Sequence, residues 1–79
     1  MSSTVFKYKN YRFFFFSREE ERMHVHVYSS EGEAKFWLEP VIALERYHNL
    51  STKQIKELER VIKKRENEIK SAWQKHFQS

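Results

Sequence analysis

No cysteine occurs in this chain, which excludes disulfides, CxxC redox chemistry, thiolate zinc sites and cysteine nucleophiles together. One glycine and one proline leave no room for a Gly-rich phosphate loop and argue against a disordered, linker-rich chain. No apolar run approaches the roughly 18 residues of a membrane span, and Met1-Ser2-Ser3-Thr4 lacks the basic and apolar regions of a secretory leader. A cytoplasmic protein with no membrane contact is the expectation. No internal repeat occurs, and the one low-complexity tract is Phe13-Phe14-Phe15-Phe16.

What is present is aromatic mass. The 79 residues include seven Phe, four Tyr and two Trp, 16% of the chain, and each aromatic ring can bury ~150–250 Å². A domain this small has a marginal core, so these rings take the place of disulfides or metals. Charged residues make up 33%, the composition of a globular domain with a dense core and a charged shell. Fifteen Lys and Arg against eleven Asp and Glu give a net charge of +4. That balance favours polyanions such as RNA and is also ordinary for a soluble domain, so charge alone leaves function open.

The second half of the chain reads as one long helix over about 51–78. Ser51-Thr52-Lys53-Gln54 is a capping box, and Leu50 with Ile55 supplies the hydrophobic staple. Ile55, Leu58, Val61, Ile62, Ile69, Ala72, Trp73 and Phe77 then recur at helical spacing on one stripe. Glu59 with Lys63 and Glu66 with Lys70 are i,i+4 pairs in the favourable order. Arg65 interrupts the stripe, either snorkelling along its stem or pointing at an acidic group, and joins the candidate binding residues. The helix's basic residues alternate with Glu57, Glu59, Glu66 and Glu68, the pattern of a solvated face.

The first half reads as a meander. Val5 to Tyr8 suits a strand, Lys9-Asn10 a turn, and Tyr11 to Ser17 a second strand rich in aromatics. Arg18 to Arg22 is a charged loop. Met23 to Tyr28 alternates strictly, Ser29 to Gly32 turns, and Glu33 to Leu38 is a fourth strand. Beyond Pro40, Val41 to Leu44 is a short edge strand or a helical turn, the strand being preferred. The fold expected is therefore a single α+β domain over residues 1–79. It has a three- to four-stranded antiparallel meander sheet over about 4–44, with one long C-terminal helix packed on its apolar face.

Register carries the functional argument. A one-residue slip between the third and fourth strands exchanges every side chain between faces. With Val27 opposite Ala34, Val25 opposite Phe36 and Met23 opposite Leu38, one face is wholly apolar. The other then shows His24 beside Trp37, His26 beside Lys35, and Tyr28 beside Glu33. Arg12, Phe14 and Phe16 join it if the second strand pairs alongside.

Such a face can be a plain solvated sheet surface or a site, and three chemistries suit a site. In metal-free RNA cleavage, one His takes the 2′-hydroxyl proton and another protonates the leaving oxygen, while Lys35 or Arg12 stabilises the phosphorane. Histidine suits both roles because its ordinary pKa of ~6.5 keeps both protonation states available. Trp37, Tyr28 and Phe14 are natural platforms for unstacked bases. In metal binding, His24 and His26 supply two nitrogens, with His48 and the Glu19 to Glu21 run as remote candidates for the three or more ligands that zinc needs. In plain recognition, the basic aromatic face docks a protein or nucleic acid without chemistry. No metal and no cofactor is expected. The Phe13 to Phe16 run reads as core plus a covered outer face, which suits a partner or a second copy of the chain. Glu19 to Glu21 reads as a solvated loop, and His48 and His76 as surface residues.

Tyr11-Arg12-Phe13-Phe14-Phe15-Phe16-Ser17, His24-Val25-His26-Val27 and Ala34-Lys35-Phe36-Trp37-Leu38-Glu39-Pro40-Val41 occur in this order. Together they resemble the bacterial family called domain of unknown function 4160, and the similarity runs on to Trp73. Many members carry a proline before the first His, where this chain has Met23. The resemblance implies a type II toxin–antitoxin module, with this chain as the toxin and a small protein of the domain of unknown function 2442 type as its antitoxin. Arg12, His24, His26, Lys35 and Trp37 fall on the family's recurring motif positions. The expectation is a toxin acting on RNA, with His24, His26, Lys35 and Arg12 as candidate catalytic residues. Trp37, Tyr28, Phe14 and Arg65 are the candidate nucleic-acid or partner contacts. The alternative is a non-catalytic binding module using the same face.

Overall fold

The computed structural model describes residues 2–16 and 22–77. Among these, five strands precede two helices: β1 Ser2–Tyr8, β2 Tyr11–Phe16, β3 His24–Tyr28, β4 Glu33–Trp37, β5 Ala43–His48, α1 Thr52–Lys64 and α2 Glu66–His76. The strands form one antiparallel sheet in the order β1-β2-β3-β4-β5. The α+β meander is as expected, but the sheet has five strands rather than three or four. The fifth runs over Ala43–His48, beyond the Val41 to Leu44 segment anticipated. Ser17, the loop residues 18–21 with the Glu19 to Glu21 run, and the helix end at 78 lie outside the described residues.

Period-two alternation sets the register. Val25 pairs with Phe36 and Val27 with Ala34, while the Leu38 amide donates to the Met23 carbonyl at 2.9 Å. Phe13, Phe15, Val25, Val27, Phe36 and Leu38 thus share one face, each at most 1% exposed. Against it lie Leu58, Ile62, Ile69 and Trp73 from the helices. Each such side chain contributes about 1.5–3 kcal/mol by leaving water. The Lys9-Asn10 turn closes β1 on β2 with Lys9 in the left-handed region at φ 54°.

The single long helix expected over 51–78 is two helices that meet at Arg65, whose φ of −109° and ψ of 26° leave helical geometry. Its amide still donates to the Val61 carbonyl, and the Ile69 amide to its own carbonyl, each at 3.0 Å, so helical hydrogen bonding carries across the break. The break falls at a charged residue. Arg65 occupies an apolar-stripe position, and its guanidinium lies over the Phe6 ring at 3.5 Å while binding Glu68 through two hydrogen bonds of 2.8 Å. The stem packs and the charge stays at the surface. The capping box forms at Ser51 and Gln54, and both i,i+4 pairs are present, Glu59 with Lys63 at 3.5 Å and Glu66 with Lys70 at 2.6 Å.

The β1–β2 turn is tied to α1 through Glu57, which accepts from the Tyr8 hydroxyl at 2.7 Å and from the Lys9 ammonium at 2.6 Å. The Lys9 hydrogen bond, seconded by Tyr8, holds the Glu57 carboxyl below its ordinary range. The same carboxylate raises Tyr8 and Lys9 above theirs, chiefly through the hydrogen bonds it accepts from them.

Candidate functional site: the outer sheet face

The face away from the helices is built in transverse rows, because antiparallel pairing sets residues side by side across strands. Thr4, Phe14, His26, Lys35 and Arg46 form one row. Lys7, Arg12, Tyr28, Glu33 and His48 form the next. His24 pairs with Trp37 on the far side of His26. The candidates His24, His26, Lys35, Arg12, Trp37, Tyr28 and Phe14 therefore share one surface. Arg65 does not join them, because it is committed to Phe6 and Glu68 on the helical side.

This face is no open polar surface. His24 is 0% exposed, His26 9% and Lys35 5%, whereas Tyr28 is 51% and Phe16 46% exposed. The His26 ring stacks on Phe14 at 5.4 Å and meets Phe16 edge-on at 4.6 Å. The His24 and His26 rings lie 5.0 Å apart, closer than the ~7 Å repeat along a strand, so they lean together. Trp73 of α2 reaches His24 at 5.1 Å while also packing on Phe15, because β2 and β3 stop pairing beyond Phe14 and His26. His76 Nε2–H donates to the Phe16 carbonyl at 3.1 Å beside that gap, so His76 is half-buried rather than the surface residue expected.

Geometry separates the two histidines. His24 Nδ1 lies 2.7 Å from the Arg22 carbonyl. A carbonyl only accepts, so Nδ1 carries a proton. His26 instead lines a cleft of about 240 Å³ together with Phe14, Phe16, Lys35, Arg46 and His48. The cations around it rest on aromatic rings. Lys35 Nζ lies over Trp37 at 4.5 Å, the Arg22 guanidinium over the same ring at 4.0 Å, and the Arg12 guanidinium over Phe14 at 4.5 Å. The Arg12 Nε–H also donates to the Thr4 hydroxyl at 2.6 Å. Among the described residues, no group of three His, Cys, Asp or Glu side chains is arranged to hold a metal ion, so His48 is not gathered with His24 and His26 into such a set.

Arg46, His48 and Arg22 belong to this face and were not assigned to it from sequence. Simple alternation from Leu44, which pairs with Phe36 of the core face, would have put Arg46 and His48 on that inner face. The shift of register between Lys35 and Phe36 is what carries them to the outer face, and it is not readable from the spacing.

Fold and face together define a class: a small α+β domain whose five-stranded antiparallel meander carries helices on one face and an imidazole, cation and aromatic surface on the other. The chain belongs to the family described as Domain of unknown function (DUF4160), whose pattern matches residues 10–74. No curated protein and no solved structure matches it. Among the described residues no helix is long and apolar enough to cross a membrane.

Proposed function

We propose that this chain is the toxin component of a bacterial type II toxin–antitoxin pair and that it cleaves RNA at the outer sheet face. The observation that carries this reading is the cleft, where His26 stands between Phe14 and Lys35 in one row with Arg46 beyond. In the reaction, the substrate's 2′-oxygen attacks its own phosphorus and the 5′-oxygen leaves. The products are a 2′,3′-cyclic phosphate and a 5′-hydroxyl, so one proton must be removed and one supplied. His26 carries one transfer and His48, which lines the same cleft, the other. Lys35 and Arg12 offset the charge of the phosphorane. His24, buried and bonded to a carbonyl, is a positioning residue that holds the His26 ring. The cognate antitoxin, of the domain of unknown function 2442 type, would cover this face.

Induced expression of wild type and His26→Ala at matched soluble levels tests the proposal. Growth arrest by wild type only, with new 2′,3′-cyclic phosphate ends in cellular RNA, is the expected result. Unimpaired growth with the wild-type protein would sink the toxin reading.

The second reading is a non-catalytic binding module. It is favoured by the low exposure of His24, His26 and Lys35 beside the open rings of Tyr28 and Phe16. It requires that His26→Gln be tolerated while Trp37→Ala or Arg12→Ala abolishes the effect, because contact area and charge would then carry the activity.

A further inference from the structure

Among the described residues, cation opposes cation across two strand pairs of the outer face, Lys7 with Arg12 on β1 and β2, and Lys35 with Arg46 on β4 and β5. Like charges directly opposite each other cost a sheet stability. Both pairs have local compensation: Arg46 reaches Glu45 at 3.1 Å, Lys35 lies on Trp37, and Arg12 lies on Phe14. The two pairs lie on either side of β3 and one row apart, Arg12 in the row of Tyr28 and Lys35 in the row of His26.

Between them, β3 contributes Tyr28 and His26. Tyr28 is 51% exposed and belongs to both recesses of this face, the cleft with His26, Lys35 and Arg46 and a more open one of about 300 Å³ with Lys7, Arg12 and Ser29. At ~4.8 Å between strands, the path is roughly 14 Å from the middle of one pair to the middle of the other. Two cationic stations joined across an exposed aromatic ring match a chain of phosphates with an unstacked base between them.

We infer that the outer face binds single-stranded RNA along a path that crosses the strands, with phosphates at Lys7–Arg12 and at Lys35–Arg46 and a base stacked on Tyr28. This deepens the reading of that face as an RNA site by naming the strandedness and the direction of the substrate. It makes His26 the point midway along the path, beside the phosphate that reacts. A duplex keeps its bases stacked inward and offers nothing to Tyr28.

Fluorescence anisotropy with a labelled single-stranded RNA of mixed sequence, against a duplex of equal length, tests it on the full chain. Lys7→Gln, Arg46→Gln and Tyr28→Ala alter exposed side chains, and circular dichroism confirms that each folds. Expected are a preference for the single strand and a loss of about 5- to 150-fold for Tyr28→Ala. Each Gln variant should flatten the log affinity against log salt slope by about 0.7, the value for one phosphate of a single strand, and the double variant by the sum. Equal binding of duplex, an unchanged slope in either Gln variant, or capture of the antitoxin with no RNA binding overturns the inference. The assay needs no cleavage or growth arrest. Binding without either would therefore reject the ribonuclease and leave the RNA path standing.

Discussion

His24 and His26 are two positions apart on one strand, yet the fold gives them different work. His24 lies under Trp73 with no exposure and lends a hydrogen to the Arg22 carbonyl, whereas His26 faces the cleft. Replacing His24 with Ala should open a cavity and destabilise the chain by about 2–4 kcal/mol, read as a lower denaturant midpoint at unchanged slope. The same change at His26, which borders the cleft, should lower that midpoint less and abolish the growth arrest proposed above. A comparable loss at both positions would contradict the division of roles. Gly32, the chain's single glycine, is fixed by closeness rather than by turn geometry. A Cβ there would meet the backbone carbonyl oxygens of His48 and Asn49, with His48 O at 2.5 Å. Backbone cannot yield as a side-chain tip does, so Gly32→Ala should cost about 1–3 kcal/mol, checked by the thermal midpoint.

At the scale of the element, the helices carry the clearest local instructions. Ser51 Oγ accepts from the Gln54 amide at 3.1 Å, and the Gln54 side chain accepts from the Ser51 amide at 2.8 Å. Ser51→Ala should lower stability by about 1 kcal/mol, measured by urea unfolding, with the fold intact. The cap was legible because it needs only residues within one turn. The break at Arg65 was not. The apolar stripe continues on both sides, and only contact with Phe6, from the first strand, shows where the guanidinium goes. In the sheet, the pairing of β3 with β4 was readable from alternation because one register alone buries Phe36 and Leu38. The extent of β5 was not, since its exposed Tyr47 and Leu44 and its shifted register mask the apolar rhythm of a strand.

Over the whole molecule, Glu57 joins the two ends of the fold electrostatically. Its carboxyl is depressed in the folded state, so its contribution is present above the ordinary carboxylate range and lost as pH falls through the folded value. Lys9 and Tyr8 are raised, so theirs is present below their ordinary values and lost as pH climbs through the folded ones. Glu57→Gln should therefore destabilise most in the neutral window between these limits and cease to matter in strong acid. Chemical denaturation of both proteins at pH 7 and pH 3 checks this, and an equal difference at both values would refute it. The pair is largely solvated, so added salt should reduce the neutral-pH difference as well.

The sequence by itself determined which side chains share a strand face and which share a helix stripe. Those periods are properties of the backbone, and burial of Phe36 and Leu38 leaves one choice between them. It therefore determined the company of His24, His26, Tyr28, Lys35 and Trp37, which Arg12 and Phe14 join through the pairing of β2 with β3. Only the tertiary structure decided that His24 is closed off by Trp73, that Arg65 turns away to Phe6, and that Arg46 and His48 complete the cleft. Each depends on the path of an element distant along the chain, and that path follows from how the two layers pack.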